Sequence, residues 1–192
     1  MATTEPATEK RPVASWRRPD DPLLDGAAIA DASRRLGDRL AHRGVVADLS
    51  VFGGAAMALA HDARRSTRDI DAVFQPHGVV LDEARAVADE LGLPQWWLNE
   101  QASAYVAPGG DTNAPRVFDH PGLRVSAASP EHLLAMKVLA ARRRDADDIR
   151  FLVKHLNLTT ADDVLALCAE IFPDEDVPAR ARLVLEDAFG DQ

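Results

Sequence analysis

Apolar residues recur at helical spacing over residues 26–43, where Ile29, Leu36 and Leu40 fall on one face and Arg34, Arg35 and Asp38 lie elsewhere. Asp25 stands where an N-cap belongs and Gly44 where a helix stops. The run VVADLSVF then predicts a strand. Gly53 and Gly54 follow, with a short Ala/Met/Leu helix, the polar turn HDARRSTR and a second strand, DIDAVF. A helix is predicted over 81–91, closed by Gly92 and Pro94. The stretch QWWLNEQASAYVAPGGDTNAP is irregular, and the short strands RVFDH and LRVSAAS, separated by Pro121-Gly122, predict a hairpin.

From Ser129 the period turns helical. Ser129 caps, Pro130 suits the first helical position, and Glu131 adds an acid to the first turn. Leu133, Leu134, Met136, Val138 and Leu139 make that helix apolar over much of its surface, so Lys137 lies among residues that want burial. Further helices are predicted over 145–156, 160–171 and 178–189. Strands thus precede a helical half, which predicts an α+β fold: a small mixed sheet with flanking helices, followed by a C-terminal helical bundle. The expected organisation is a flexible tail over 1–22, with Trp16 available to dock it, an α/β core over 23–128, and a helical subdomain over 129–192.

Composition narrows the function. The chain has 192 residues, 46% of them hydrophobic, and a net charge of −9. That balance supports a real core and gives no broad electrostatic pull toward nucleic acid or an anionic membrane. A single cysteine, Cys168, sits in an apolar pattern and excludes a disulfide framework. No run has the length of a signal peptide core or a membrane span, so the cytoplasm is the expected location. His61, His77, His120, His132 and His155 are too scattered for zinc spacing and are expected at the surface or in caps.

The chemistry concentrates in VFGGAAMALAHDARRSTRDIDAVF. Alternate side chains of a strand share a face, so Asp69 and Asp71 project together while Ile70 turns away. Two carboxylates side by side repel each other, and a hard divalent cation such as Mg²⁺ relieves that repulsion. Magnesium usually takes its remaining oxygens from water and substrate phosphates, which points to a nucleotide. Gly53 and Gly54 let the backbone approach a ligand, and the helix start that follows offers free N–H donors to a phosphate. Lys137 either runs its stem along the apolar face to solvent or meets phosphate as a point charge in the same cleft. Asp145, Asp147 and Asp148 suit the first turn of a helix, and Asp119, before Pro-Gly, reads as a turn residue rather than a general base. Arg142, Arg143 and Arg144 form the densest basic cluster, a solvated face or a grip for RNA or triphosphate.

The order Gly-Gly, short helix, then T-x-D-I-D resembles the signature of polymerase-β-like nucleotidyltransferases, carried here by Gly53, Gly54, Thr67, Asp69 and Asp71. FGGAAMAL…RRSTRDIDAVF is similar to the AbiEii-type branch, toxins of type IV toxin–antitoxin pairs, with a longer turn before Asp69 than that branch usually has. SPEHLLAMKVLAARRRDADDIRFL resembles its later segment through Lys137, Arg144, Asp145, Asp148 and Ile149. The resemblance implies Mg²⁺-dependent nucleotidyl transfer from an NTP, with metal on Asp69 and Asp71 and phosphates cradled by Gly53, Gly54 and Thr67. It also implies that Lys137 contacts the triphosphate and that Asp148, or else Asp145, completes the catalytic set. The acceptor it implies is the 3′ end of tRNA, and the protein partner a neighbouring-gene antitoxin. Two further readings share the Gly-Gly…DxD core: an antibiotic nucleotidyltransferase acting on an aminoglycoside or lincosamide, and a degenerate module that only binds nucleotide or a partner.

Overall fold

The apolar stripe beginning at Gly26 folds as helix α1 (Gly26–His42) in a computed structural model that describes residues 21–60, 66–101, 103, 106–107 and 109–190. Asp25 caps it, its carboxylate accepting from the Ala28 N–H at 2.8 Å, and Ile29, Ala32, Leu36 and Leu40 are buried along one side. Past Gly44, in the left-handed region at φ +68°, the chain enters strand β1 (Ala47–Val51). Helix α2 (Gly53–Ala60) follows at once, and β2 (Ile70–Gln75) returns antiparallel to β1. Helix α3 (His77–Leu91), a two-residue β3 (Leu98–Asn99) and the hairpin β4 (Arg116–His120) and β5 (Leu123–Ala127) complete the first half. The second half is helical: α4 (Pro130–Ala140), a 3₁₀ turn at Arg143–Asp145, α5 (Ala146–His155), α6 (Ala161–Ile171) and α7 (Ala179–Gly190).

The strands form one mixed sheet in the order β3-β2-β1-β5-β4, so the expected α+β class holds. The pairs β1–β5 and β2–β3 are parallel, while β1–β2 and β4–β5 are antiparallel. Alternate residues Ala47, Leu49 and Val51 of β1, Ile70, Ala72 and Phe74 of β2, and Leu123, Val125 and Ala127 of β5 are buried. Helices α1 and α3 pack on each other, α1 against β5 and α3 against β2, while α4 is packed on by α5, α6 and α7. A single hydrophobic core runs from Leu24 and Ile29 through the sheet to Leu185 and Ala188. Cys168 belongs to it; burial pushes its thiol up to about 11, which leaves it inert as a nucleophile.

Local chemistry accounts for most boundaries. The Ser129 hydroxyl accepts from the His132 N–H, and Thr160 with Asp163 forms a reciprocal capping box. Helix α3 begins at His77, earlier than its periodicity predicts. Gly78 and the β-branched Val79 and Val80 weaken the local helical signal, but Val80 is fully buried, and tertiary packing outweighs propensity there. The tail expected over 1–22, with Trp16, lies outside the described residues as far as residue 20, as does residues 61–65 of the turn after α2, including His61.

Pairing register places the future site. Because β2 runs antiparallel to β1, its start lies beside the end of β1, and the Phe52 N–H donates to the Asp71 carbonyl at 2.8 Å. Because β5 runs parallel to β1, its end lies at the same edge, where the Ala128 N–H donates to the Val51 carbonyl at 2.9 Å. Helix α4 therefore departs from the edge that already holds the glycine pair and the aspartates. The far edge depends on a tight approach at the hairpin turn. A Cβ on Gly122 would overlap the Gly37 carbonyl of α1 and lie 2.6 Å from the Ala41 nitrogen, both backbone atoms that cannot swing aside. Gly122→Ala is therefore expected to destabilise by about 1–3 kcal/mol, measured by urea unfolding, with the m-value unchanged.

Candidate active site

A cleft of about 350 Å³ opens between the edge of the sheet and α4. Its walls bring together Gly53, Gly54, Thr67, Asp69, Asp71, Lys137 and Asp145, residues far apart in the chain. Asp148 does not line it, but stands behind Lys137.

The glycine pair opens α2. Gly53 has φ +59°, a conformation that side chains rarely adopt, and a Cβ there would lie 3.4 Å from Asp71 Oδ2. A side chain at this position would rest against the Asp71 carboxylate, and the glycine pair that opens α2 lines the same cleft as both aspartates. Asp69 immediately precedes β2 instead of lying within it. It is buried, whereas Asp71, inside the strand, is only partly covered. Thr67 is buried and turns its hydroxyl to the Asp69 carbonyl at 3.1 Å, so it shapes the turn that presents Asp69. The same turn is held from the other side by Leu24, whose N–H and carbonyl exchange hydrogen bonds with those of Thr67 at 2.7 and 2.8 Å.

Lys137 lies on the last turn of α4, buried with its ammonium clamped between two carboxylates. Nζ donates to Asp148 Oδ2 at 2.7 Å and to Asp145 Oδ1 at 3.1 Å. Those acids come from the 3₁₀ turn and the first turn of α5, which the left-handed Ala141 folds back toward α4. An ammonium has three donors and these contacts use two. Asp147, by contrast, is almost fully exposed and pairs with Arg150 at 2.9 Å. Asp119 sits on β4, exposed and 3.9 Å from Arg116, and does not line the cleft.

Two carboxylates facing a glycine backbone form a hard-oxygen donor set that fits a mostly hydrated divalent ion such as Mg²⁺, its shell completed by phosphate oxygens. Among the described residues no three of His, Cys, Asp and Glu gather to form a protein-only metal cage, which a nucleotide-bridged ion does not need.

Several residues in and around the cleft carry no sequence signal of that place. Asn99 donates from Nδ2 to Asp69 Oδ2 at 3.2 Å, and Gln101 lines the cleft beside it. Both come from the irregular stretch after α3, where the one signal is the apolar WWL run, whose last residue, Leu98, opens β3. Arg68, Arg142 and Arg144 line the cleft and are exposed, so the basic cluster lies at its mouth. His132, expected at the surface, is buried between Phe52 and Phe172, 3.8 Å from Asp111. It joins Phe52, at the end of β1, to Phe172, at the end of α6.

A family model described as a nucleotidyltransferase of unknown function (DUF6036) matches residues 34–179. A crystal structure of an antigenic nucleotidyltransferase-like protein from Paracoccidioides brasiliensis is similar over 88% of this chain and 95% of that one, at 18% identity and a TM-score of 0.45. No curated protein matches. Among the described residues, no helix is long and apolar enough to cross a membrane.

Proposed function

The chain belongs to this nucleotidyltransferase family, and from that premise we propose that it moves a nucleoside monophosphate from an NTP to an acceptor hydroxyl with the help of Mg²⁺. The observation that carries this reading is that Gly53, Gly54, Asp69, Asp71 and Lys137, from separate parts of the chain, line one cleft. In the proposed reaction the acceptor oxygen bonds to the α-phosphorus, the bond to the β-phosphate oxygen breaks, and pyrophosphate leaves. Asp69 and Asp71 would hold the ion, which when bound stabilises charge on the attacking and leaving oxygens. The N-terminal N–H groups of α2, with Gly53 and Gly54, cradle phosphate, and Thr67 keeps the turn in shape for it. Lys137 adds positive charge on the α4 side, held in place by Asp145 and Asp148. The residues position charge and donors before the reaction begins, which is where most of the rate gain in such a site arises.

For the acceptor we propose RNA, and specifically the 3′ end of tRNA by resemblance to the AbiEii-type toxins, with an antitoxin as protein partner. Arg68, Arg142 and Arg144 at the mouth favour a polyanion despite the net charge of −9, and disfavour a polycationic drug. The test is incubation with Mg²⁺, each α-labelled NTP in turn and total tRNA, followed by a gel. Label in tRNA that vanishes when Mg²⁺ is chelated is the expected outcome. Stabilisation by Mg²⁺-NTP without label in RNA would remove tRNA and return an antibiotic or protein acceptor.

A further inference from the structure

We propose that Asn99 is a positioning residue: it holds the Asp69 carboxylate in the orientation from which Asp69 and Asp71 together take a divalent cation. The inference rests on the metal-dependent reading above.

Parallel pairing of β2 with β3 sets Asn99 in register beside Asp71. Its side chain is tied at both ends. Oδ1 accepts the Gln101 N–H at 3.1 Å, while Nδ2 donates to Asp69 Oδ2 at 3.2 Å and to the Trp96 carbonyl at 3.4 Å. An oxygen engaged by a backbone N–H fixes which way the amide points, so the NH₂ end must face the carboxylate. The support is rigid. Trp97 is buried, its indole N–H donates to the Ala84 carbonyl at 2.8 Å, and its own carbonyl accepts the Ile70 N–H at 2.6 Å.

The residue type matters as much as its place. A third carboxylate at position 99 would face Asp69 across 3.2 Å as a like charge and repel it instead of holding it. An amide supplies a donor without charge, so it orients Asp69 without adding a third negative group beside the pair. The same side chain, through Oδ1, anchors the backbone of Gln101, which lines the cleft.

The test uses the full-length chain and Mn²⁺ as a spin-active stand-in for Mg²⁺, with binding read by electron paramagnetic resonance and transfer read by labelled NTP. Asn99→Ala is expected to weaken Mn²⁺ binding and lower kcat by about tenfold each, with KM for NTP within about twofold. Asn99→Asp keeps the shape and the Gln101 contact, and so remains informative if the alanine variant fails to fold. It exchanges the donor for a like charge facing Asp69, so its kcat is expected to fall at least as far as that of Asn99→Ala. Wild-type Mn²⁺ affinity and kcat in Asn99→Ala, or a wild-type kcat in Asn99→Asp, would overturn the role of Asn99. Failure of the wild-type protein itself to bind Mn²⁺ would overturn the metal site, and this inference with it.

Discussion

Asp71→Ala is expected to lower labelled-nucleotide transfer by at least about 10²–10³-fold while leaving the melting temperature at or above that of wild type. The two halves of the expectation have separate causes. Loss of rate follows from removing one of two carboxylates that would bind the ion against the Gly53 backbone. Retained stability follows from where Asp71 sits: β2 is anchored through Ile70, Ala72 and Phe74, all buried, while Asp71 lies on the less covered face. Removing one of two neighbouring carboxylates also relieves repulsion in the metal-free protein. Asp69→Ala differs, because Asp69 is buried and takes part in the hydrogen bond from Asn99, so its loss costs stability as well as rate. Thermal melts with and without Mg²⁺-NTP separate the cases: wild type gains by mass action, and Asp71→Ala loses that gain. A near-normal rate in Asp71→Ala would remove the metal assignment altogether.

Much of the frame around this site was legible because its signals are local. Asp25, Ser129 and Thr160 cap helices through residues three positions on, and Pro121-Gly122 turns a hairpin between adjacent strands. That Asp69 and Asp71 line one cleft is nearly as local, since only Ile70 separates them in the chain. What escaped depends on long-range pairing. Asn99 matters only because a two-residue strand adds to the sheet edge next to β2, and no periodicity marks so short a strand. His132 looked like a helix-surface residue until packing against Phe52 and Phe172 enclosed it. Lys137 was intermediate. Its apolar neighbours showed that it would be buried, but its enclosure by Asp145 and Asp148 needed the reversal at Ala141, a non-glycine residue at φ 44° that sequence alone gives no reason to expect.

That enclosure leads to the largest stability effect expected in the molecule. Lys137→Met removes the cation from between two buried carboxylates, and breaking such a contact costs about 3–5 kcal/mol because uncompensated charge stays behind. Urea unfolding should show the loss, and transfer should vanish along with it. That result alone leaves Lys137 ambiguous, since a residue that merely neutralises Asp145 and Asp148 would give the same pair of defects. The triple variant Lys137→Met/Asp145→Asn/Asp148→Asn separates them. With all three charges gone, nothing charged is stranded in the interior, and stability should return to within about 1–2 kcal/mol of wild type. Asp145→Asn/Asp148→Asn with Lys137 kept is the control for the two acids, and a purely structural lysine would leave the triple variant as active as that double variant. A lysine whose third donor serves phosphate is not replaced by methionine in any background, so the restored fold should remain inactive, with KM for NTP raised wherever residual turnover is measurable.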